Sequence, residues 1–439
     1  GPSSLQAFNA ACEERLSQRD VVGSPVVFHP CSAFHKTQPP HARRAAPTTE
    51  VVGADSGDAV VRTSKKGGKS VPRKSPYLQD VGASSHSHSN SNSNNNGGAT
   101  TSGTTTSAAA AVVVVRYPQS VDHPCYFKML GIEARLVRRT LEEHGFRERD
   151  DDRWNVLWSQ GQFRIHWLQS MNRFQKANHF PGSWEITRKD KLYENMLAMQ
   201  RRCGLEHFDF IPTTFLLPSQ FGQFSMRCSK ERNALWILKP VASSQGKGIR
   251  VVRGAEEVEP NEHFVVSRYV SNPYLVDGLK FDLRIYVAVT SYNPLRAYIY
   301  REGLARFSTE KYDPNPEFAH RLCMHLTNYS VNKHSKEFQE NQDAEDDDQG
   351  HKWSLSALLR HLQGEGHDTV ELMARIKDVI LMTLLCAEPY VSDALGQAAS
   401  WSSHDRCNCF ELLGFDILID EYLRPWLIEV NMSPSLSCG

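Results

Sequence analysis

Near the C-terminal end stand GFDILID (Gly414 to Asp420) and PWLIEVN (Pro425 to Asn431), two runs that read as strands joined by a tight connection. Side chains alternate along a strand, so a connection with an even number of residues puts Gly414, Asp416 and Leu418 on one sheet face with Leu427, Glu429 and Asn431. The opposite face is then wholly apolar, carrying Phe415, Ile417 and Ile419 with Trp426, Ile428 and Val430. Burial of that face fixes the register and forces two carboxylates and a carboxamide onto one surface. Such hard oxygen donors suit magnesium, which keeps waters and also takes phosphate oxygens. The bland alternative is a polar face turned to solvent; the motifs upstream decide between the two.

FDLRIYVAVT (Phe281 to Thr290) reads as a long strand with Lys280, Asp282, Arg284 and Tyr286 on one face and Phe281, Leu283, Ile285 and Val287 on the other. Polar groups in strict alternation are costly as core and useful as an active site. WILKP-VASSQGKG, from Trp236, is a strand ending at Lys239, a small-residue loop, then a strand at Ile249 to Val252. Small residues let backbone N–H groups approach anionic oxygens, so the run suits a lid over phosphates. GLARFS adds Arg306, MHLTNYS adds Asn328, Tyr329 and Ser330, and GHKW adds Lys352. Cations at this density balance phosphate and carboxylate charge, with Asn328 as a neutral donor or acceptor. Taken singly, the first two runs also fit an exposed strand face and a surface hairpin with a chance lysine.

Taken in order, NHFPGS, TRKDKL, KPVASSQGKG, SRYVSNP, KFDLRIYVAVTSY, EGLARF, MHLTNYSVNK and GFDILID with WLIEVNMSPSL resemble the ATP-grasp ligases, over most of Arg116 to Ser437. Within them the resemblance is to the glutamylase branch of the tubulin tyrosine ligase-like family, closest to the members that attach glutamate to tubulin tails, the type numbered five among them. It implies an α+β chain with an ATP-grasp fold, whose central lobe (186–275) and C-terminal lobe (276–439) carry antiparallel sheets that sandwich ATP, after a small α/β N-terminal domain (3–185). Lys189 and Lys239 would contact ATP, Gln245 and Gly246 would lie in the phosphate loop, and Ser267, Arg268, Tyr269 and Val270 would form the hinge beside adenine. Lys280, Phe281, Asp282 and Thr327 would hold the nucleotide, Arg284 its phosphate end, and Asn328 would reach between phosphates and metal. Arg306, Tyr329, Ser330 and Lys352 match positions that bind free L-glutamate. Asp416, Glu429 and Asn431 match the magnesium ligands, the same three residues that the hairpin alternation gathers.

The implied reaction uses ATP to activate the γ-carboxylate of a glutamate in an acidic tail as an acyl phosphate; the amine of free glutamate then attacks and an isopeptide bond forms. Arg284, Arg306, Asn328 and Glu429 would carry the chemistry, with ATP and Mg2+ as cofactors and tubulin C-terminal tails and microtubules as partners. Charge builds first on the transferred phosphoryl group and then on a tetrahedral oxyanion, so fixed cations supply the main stabilisation. A glycine ligase of the same family is a second possibility, opposed by Arg306 and Lys352, since glycine has no side-chain carboxylate to pair. A catalytically inert microtubule-binding scaffold is a third, opposed by the intact Lys239, Asp416, Glu429 and Asn431.

The chain has 439 residues, 40% hydrophobic, with 50 Lys and Arg against 50 Asp and Glu, enough to bury more than one lobe and too balanced for net charge to name a partner. Ten cysteines without framework spacing point to a reducing, cytosolic or nuclear compartment. The family resemblance narrows this to cytoplasm and cytoskeleton, with a cilium or basal body, and implies neither nucleic acid nor membrane as partner; a monomer is the default. His404, Cys407 and Cys409 lack a matching second pair for zinc, and the apolar run Ala108 to Val115 falls far short of the roughly 20 residues that cross a bilayer. Gly1-Pro2 has the form of a protease-cleavage scar and is set aside.

A tract rich in Ser, Asn, Gly, Thr and Pro with HSHSNSNSNNNGG at its centre (about 37–112) is expected to be disordered and to split the N-terminal domain. Lys65, Lys66, Lys69, Arg73 and Lys74 form a basic cluster within it, and GGKS (Gly67 to Ser70) lacks the strand and the earlier glycine of a phosphate loop. Around it, VVFH (Val26 to His29) and WNVLWS (Trp154 to Ser159) read as strands and Glu133 to His144 as a helix closed by Gly145. Further helices are expected at Asp190 to Cys203, Lys352 to Gln363 and Val370 to Glu388, and strands at Trp236 to Lys239, Ile249 to Val252, Phe264 to Ser267, Phe281 to Thr290 and Arg296 to Tyr300. The acidic run Glu337 to Gln349 reads as a loop. Two departures from the family stand out: the insertion within the N-terminal domain, and an end at Cys438-Gly439 where members commonly continue into a basic microtubule-binding segment, which implies weaker microtubule binding.

Overall fold

The computed structural model describes residues 124–163, 165–241, 246–339, 347–398 and 408–436. The expected strand at Val26 to His29, the low-complexity tract with its basic cluster, Gln245, and His404 with Cys407 lie outside the described residues. Among those described, three sheets with their flanking helices form a mixed α/β architecture.

The first sheet is parallel and holds β1 (Tyr126–Leu130), β2 (Arg147–Glu148), β3 (Val156–Ser159) and β4 (Lys176–Ala177) in the order β2-β1-β3-β4. Helix α1 (Arg135–Glu143) joins β1 to β2 and stops as expected at Gly145, whose φ of 82° few side chains tolerate. Next comes α2 (Lys189–Cys203), with Leu192, Met196 and Met199 buried along one stripe as core.

The second sheet is antiparallel, with β5 (Thr214–Leu216), β6 (Trp236–Pro240), β7 (Arg250–Val252) and β8 (Phe264–Arg268) in the order β5-β8-β6-β7. Alternation along β6 sends Trp236 and Leu238 into a core with Phe224 and Val266, the Trp236 and Phe224 rings meeting edge to face at 5.3 Å. The same alternation aims Ile237 and Lys239 the other way.

The third sheet joins β9 (Leu275–Val276), β10 (Leu279–Tyr292), β11 (Leu295–Lys311), β12 (Lys352–Ser354), β13 (Glu411–Ile419) and β14 (Pro425–Asn431), all antiparallel. Its spatial order is β12-β11-β10-β13-β14, with β9 on β10. One face packs Leu283, Ile285, Phe415, Ile417, Leu427 and Val430 into one core with Met196 of α2, Leu358 of α3 (Leu355–Gly364) and Ile376 of α4 (Thr369–Ala398). Each such residue contributes on the order of 1.5–3 kcal/mol by leaving water, so the apolar stripe of β10 decides which face stays polar.

Three boundaries differ from the sequence expectation. Lys352 to Ser354 form an edge strand and the helix starts only at Leu355, because the Ser354 side chain caps it by accepting from the Ala357 N–H. α4 runs through Pro389 to Ala398, held by the burial of Val391 and Ala398. β11 extends from Tyr300 to Lys311 and absorbs GLARFS; Gly303 permits this, since a Cβ there would lie 2.6 Å from the Arg284 carbonyl oxygen.

The hairpin of β13 and β14 also departs from strict alternation. Gly414 pairs with Asn431 and Asp416 with Glu429, as expected, but Ile417 pairs with Leu427, so Ile428 is the extra residue of a bulge. Beyond it the faces exchange: Leu427 is fully buried in the core, while Ile428 turns to the polar side with Leu418. The connection is tied by Asp420, which accepts from the N–H groups of Tyr422 and Arg424 and from Trp426 Nε1. No helix among the described residues is long and apolar enough to cross a membrane.

The first sheet is fastened to β13 by a buried acid. Glu411 is fully buried; its Oε1 lies 2.9 Å from His179 Nδ1 and accepts from Ser183 Oγ at 3.0 Å. Burial pushes its carboxyl above the usual carboxylate range, more than His179 and Ser183 pull it back. A raised native value means that the fold keeps a proton the unfolded chain has lost, so this contribution is full below about 4.5 and fades as pH rises. The stability of Glu411→Gln relative to the parent chain should therefore improve as pH rises from 5 to 8. Urea midpoints that track each other across that range would overturn the assignment.

Candidate functional site

A cleft lies between the polar face of the third sheet and the side of the second sheet that bears Ile237 and Lys239, closed at one end by the turn from His325 to Asn328. Its walls are of two kinds. Ile237 and Ile249 from the second sheet and Leu418 and Ile428 from the hairpin, with Leu326, make an apolar slot. Beside it stand Lys189, Lys239 and Lys280 with the carboxylates of Asp282, Asp416 and Glu429. A flat apolar ring carrying several negative charges would find both of its halves matched here.

The charges are held in rows that the strand register dictates. Arg306 on β11 stands opposite Asp282 on β10, and Arg284 on β10 opposite Asp416 on β13, which in turn faces Glu429 on β14. Arg306 donates from Nε and Nη2 to the two Asp282 oxygens at 2.8 and 2.5 Å, and from Nη2 to Asp416 Oδ2 at 2.8 Å. Arg284 grips Asp416 from the other side at 2.5 and 3.0 Å. Burial pushes the Asp416 carboxyl up, and the charges of Arg306 and Arg284 outweigh that, holding it down at about 2. Gly414 lets Arg284 lie flat, since a Cβ there would come within 3.0 Å of Arg284 Cδ. Lys189 Nζ sits 3.3 Å from Glu429 Oε2.

Lys280 differs from these cations. It is 6% exposed, and its Nζ donates to Tyr269 Oη at 2.8 Å and to the His325 carbonyl at 2.9 Å, with no carboxylate in hydrogen-bond range among the described residues. Burial, helped by the charge of Lys239 and opposed by Asp282, lowers its ammonium to about 7.

The structure brings Lys189, Lys239, Gly246, Ser267, Arg268, Tyr269, Val270, Lys280, Asp282, Thr327, Asn328, Asp416 and Glu429 to the cleft wall. Arg284 and Arg306 stand immediately behind Asp282 and Asp416. Asn431 lies next along the hairpin, its Nδ2 donating to the Gly414 carbonyl at 3.2 Å. Phe281 points to the opposite face, packed on Phe307 with ring centroids 5.4 Å apart. Tyr329, Ser330 and Lys352 are not on the cleft wall; Lys352 pairs with Arg306 across the strand edge, and its Nζ lies 5.7 Å from the Tyr329 ring centre.

Several contributors escaped the sequence reading. Ile428 reaches the slot only because of the bulge. Asn332, inside MHLTNYSVNK, staples the turn: its Oδ1 accepts from Thr309 N–H and Oγ1, and its Nδ2 donates to the Leu326 and Asn328 carbonyls. A buried asparagine in a loop motif is the signal that would have found it.

The sequence profile of the Tubulin-tyrosine ligase family matches residues 168–439. The chain is 46% identical over 314 residues to the tubulin polyglutamylase TTLL5 of Homo sapiens, covering 71% of this chain and 24% of that protein. It is 41% identical over 312 residues to the tubulin monoglutamylase TTLL4 of Mus musculus (71% and 26%) and 40% identical over 287 residues to a probable beta-tubulin polyglutamylase of Tetrahymena thermophila (65% and 24%). The chain spans about a quarter of the length of these relatives.

A native ammonium that loses its proton near 7, when the unfolded chain keeps it to 10.5, destabilises the free fold fully below about 7 and progressively less as pH rises. Lys280→Met should therefore stabilise the ligand-free protein by a few kcal/mol at pH 6, on the scale of relieving a buried charge without a partner. That gain should shrink toward pH 10. A variant less stable than the parent at pH 6, by chemical denaturation, would show that the ammonium is better compensated than its contacts indicate.

Proposed function

We propose that this chain, which belongs to the tubulin-tyrosine ligase family, is an ATP-dependent ligase that adds glutamate through an isopeptide bond to the γ-carboxylate of glutamates in tubulin C-terminal tails. The observation that carries this is the pairing, in one cleft, of an apolar slot with cations that exceed the nearby carboxylates. The names of the relatives supply the acceptor: those of Homo sapiens, Mus musculus and Tetrahymena thermophila are named for glutamate addition to tubulin.

In this reading the fold is an ATP-grasp, with a central lobe (186–275) and a C-terminal lobe (276–439) following an N-terminal domain (3–185). Ile237, Leu418 and Ile428 would hold adenine beside the hinge of Ser267 to Val270. Lys189, Lys239 and Lys280 would meet the phosphates, with Gly246, at a φ of 73°, beside them. Magnesium fits the donor set: Asp416 and Glu429 are cross-strand carboxylates, and Asn431 Oδ1 has no partner among the described residues. When bound, it would neutralise phosphate charge as the phosphoryl group is transferred.

The chain's own residues do the rest. Arg284 and Arg306 hold Asp416 ionised and lie where charge builds on the transferred group. Arg306 Nη1 makes no hydrogen bond among the described residues, which leaves it for the carboxylate of incoming glutamate, with its cross-strand partner Lys352, and with Tyr329 and Ser330 assigned to the same substrate by the family resemblance. Holding two anionic substrates side by side removes part of the entropic barrier, and no nucleophilic side chain is required. Such an enzyme acts in the cytoplasm on the cytoskeleton, at a cilium or basal body, as a monomer.

Intact-mass spectrometry of tubulin incubated with the protein, ATP, magnesium and glutamate should show increments of one glutamyl unit, absent with glycine or without ATP. Glu429→Gln should abolish them while leaving the fold intact. Increments with glycine would replace the donor assignment, and full activity in Glu429→Gln would remove the metal assignment.

A further inference from the structure

Behind the cleft, Lys280, Tyr269 and His325 form a directed hydrogen-bond chain, and the proposed chemistry gives His325 no role. His325 Nε2 lies 3.0 Å from the Phe318 carbonyl oxygen, which only accepts, so Nε2 carries the proton. In the neutral ring Nδ1 is then an acceptor, and it lies 2.9 Å from Tyr269 Oη. Tyr269 has one hydroxyl proton, and its oxygen already receives an N–H of Lys280 at 2.8 Å, so the proton goes to Nδ1. The neighbouring Tyr312 directs its own proton to the Ser271 carbonyl at 2.7 Å.

The chain therefore runs one way, from Lys280 through Tyr269 and His325 to the turn Pro316–Phe318. Burial, with the charges of Lys280 and His320 on the same side and the Phe318 carbonyl and Glu310 opposing, lowers the imidazolium and keeps the ring neutral. All three side chains are fixed: Tyr269 is 5% and His325 2% exposed, and Lys280 Nζ lies 4.4 Å from the Tyr269 ring centre. Two of the three ammonium N–H groups are taken, by Tyr269 and by the His325 carbonyl; the third has no acceptor among the described residues. Lys280 lines the cleft.

We propose that His325 is a positioning residue: by taking the Tyr269 proton it turns the lone pairs of that oxygen to Lys280 and so aims the ammonium at an anionic ligand in the cleft. Without the imidazole acceptor, the hydroxyl proton is left to turn between Tyr312 Oη, whose own proton goes to Ser271, and the side of the oxygen that faces Lys280, so the lone pairs are no longer held on the ammonium. This rests on the reading that the cleft binds ATP.

The test is a double-mutant cycle on binding of the non-hydrolysable analogue AMPPNP with magnesium, followed by calorimetric titration, with thermal unfolding recorded for each variant. His325→Leu should weaken binding about tenfold, the scale of one charge-assisted hydrogen bond. Tyr269→Phe should weaken it similarly, and the double variant should be no weaker than Tyr269→Phe alone. His325→Asn, whose Oδ1 can take the place of Nδ1, should recover most of the affinity even though the contact with Phe318 is lost. Losses that multiply in the double variant, or an Asn variant as weak as the Leu variant at matched stability, would overturn the positioning role and leave the nucleotide site standing. A parent chain that binds no AMPPNP at all would remove both.

Discussion

Everything in the cleft depends on Asp416 being held as an anion between two arginines. A carboxylate that is 2% exposed and faces another acid, Glu429, across the sheet would not stay ionised by itself. Arg284 and Arg306 reach it from β10 and β11, so the strand order β11-β10-β13 is what makes the charge tolerable. Buried ion pairs are seldom net stabilisers, because desolvation offsets most of the attraction. Their effect here is on specificity of structure: a one-residue slip of β13 against β10 would turn Asp416 into the apolar core and leave Arg284 on the polar face without it. Register and chemistry are therefore enforced by the same contact.

The bulge at Ile428 resolves a conflict that strict alternation would leave in place. The hairpin presents Asp416 and Glu429, with Asn431 next to them, at one end of the cleft face and the apolar Leu418 and Ile428 at the other. Perfect alternation would put Leu427 there and Ile428 in the core. Inserting one residue exchanges them while keeping Leu418 on the cleft side, so Leu418 and Ile428 together oppose Ile237. Bulges recur beside functional sites because they re-aim single side chains without disturbing the ladder on either side.

The sequence made the strongly periodic parts legible and hid those where tertiary packing overrides the local pattern. The apolar stripe of β10 named its polar face outright, and the hairpin alternation gathered Asp416, Glu429 and Asn431 because the core side admitted no other register near them. The bulge left no trace, since WLIEV carries neither Gly nor Pro and reads equally well in either phase. β12 is only Lys352 to Ser354, too short to show a period of its own, and was absorbed into the helix that follows. Pro389 argued for a helix end that the burial of Val391 and Ala398 overrules. The family resemblance marked MHLTNYSVNK as important, yet the hydrogen bonds of His325 and Asn332, which set the shape of that turn, depend on partners at Phe318 and Thr309 that no spacing rule reveals.

The charge balance also bears on what the cleft does when filled. Asp282 and Asp416 are each satisfied by an arginine and Glu429 by Lys189, which leaves Lys239 and Lys280 as the surplus. Burial lowers the Lys280 ammonium, since its hydrogen-bond partners are neutral and the charges of Asp282 and Lys239 act in opposite directions. An anion placed beside Lys280 would supply a counter-charge and strengthen the hold of the amine on its proton.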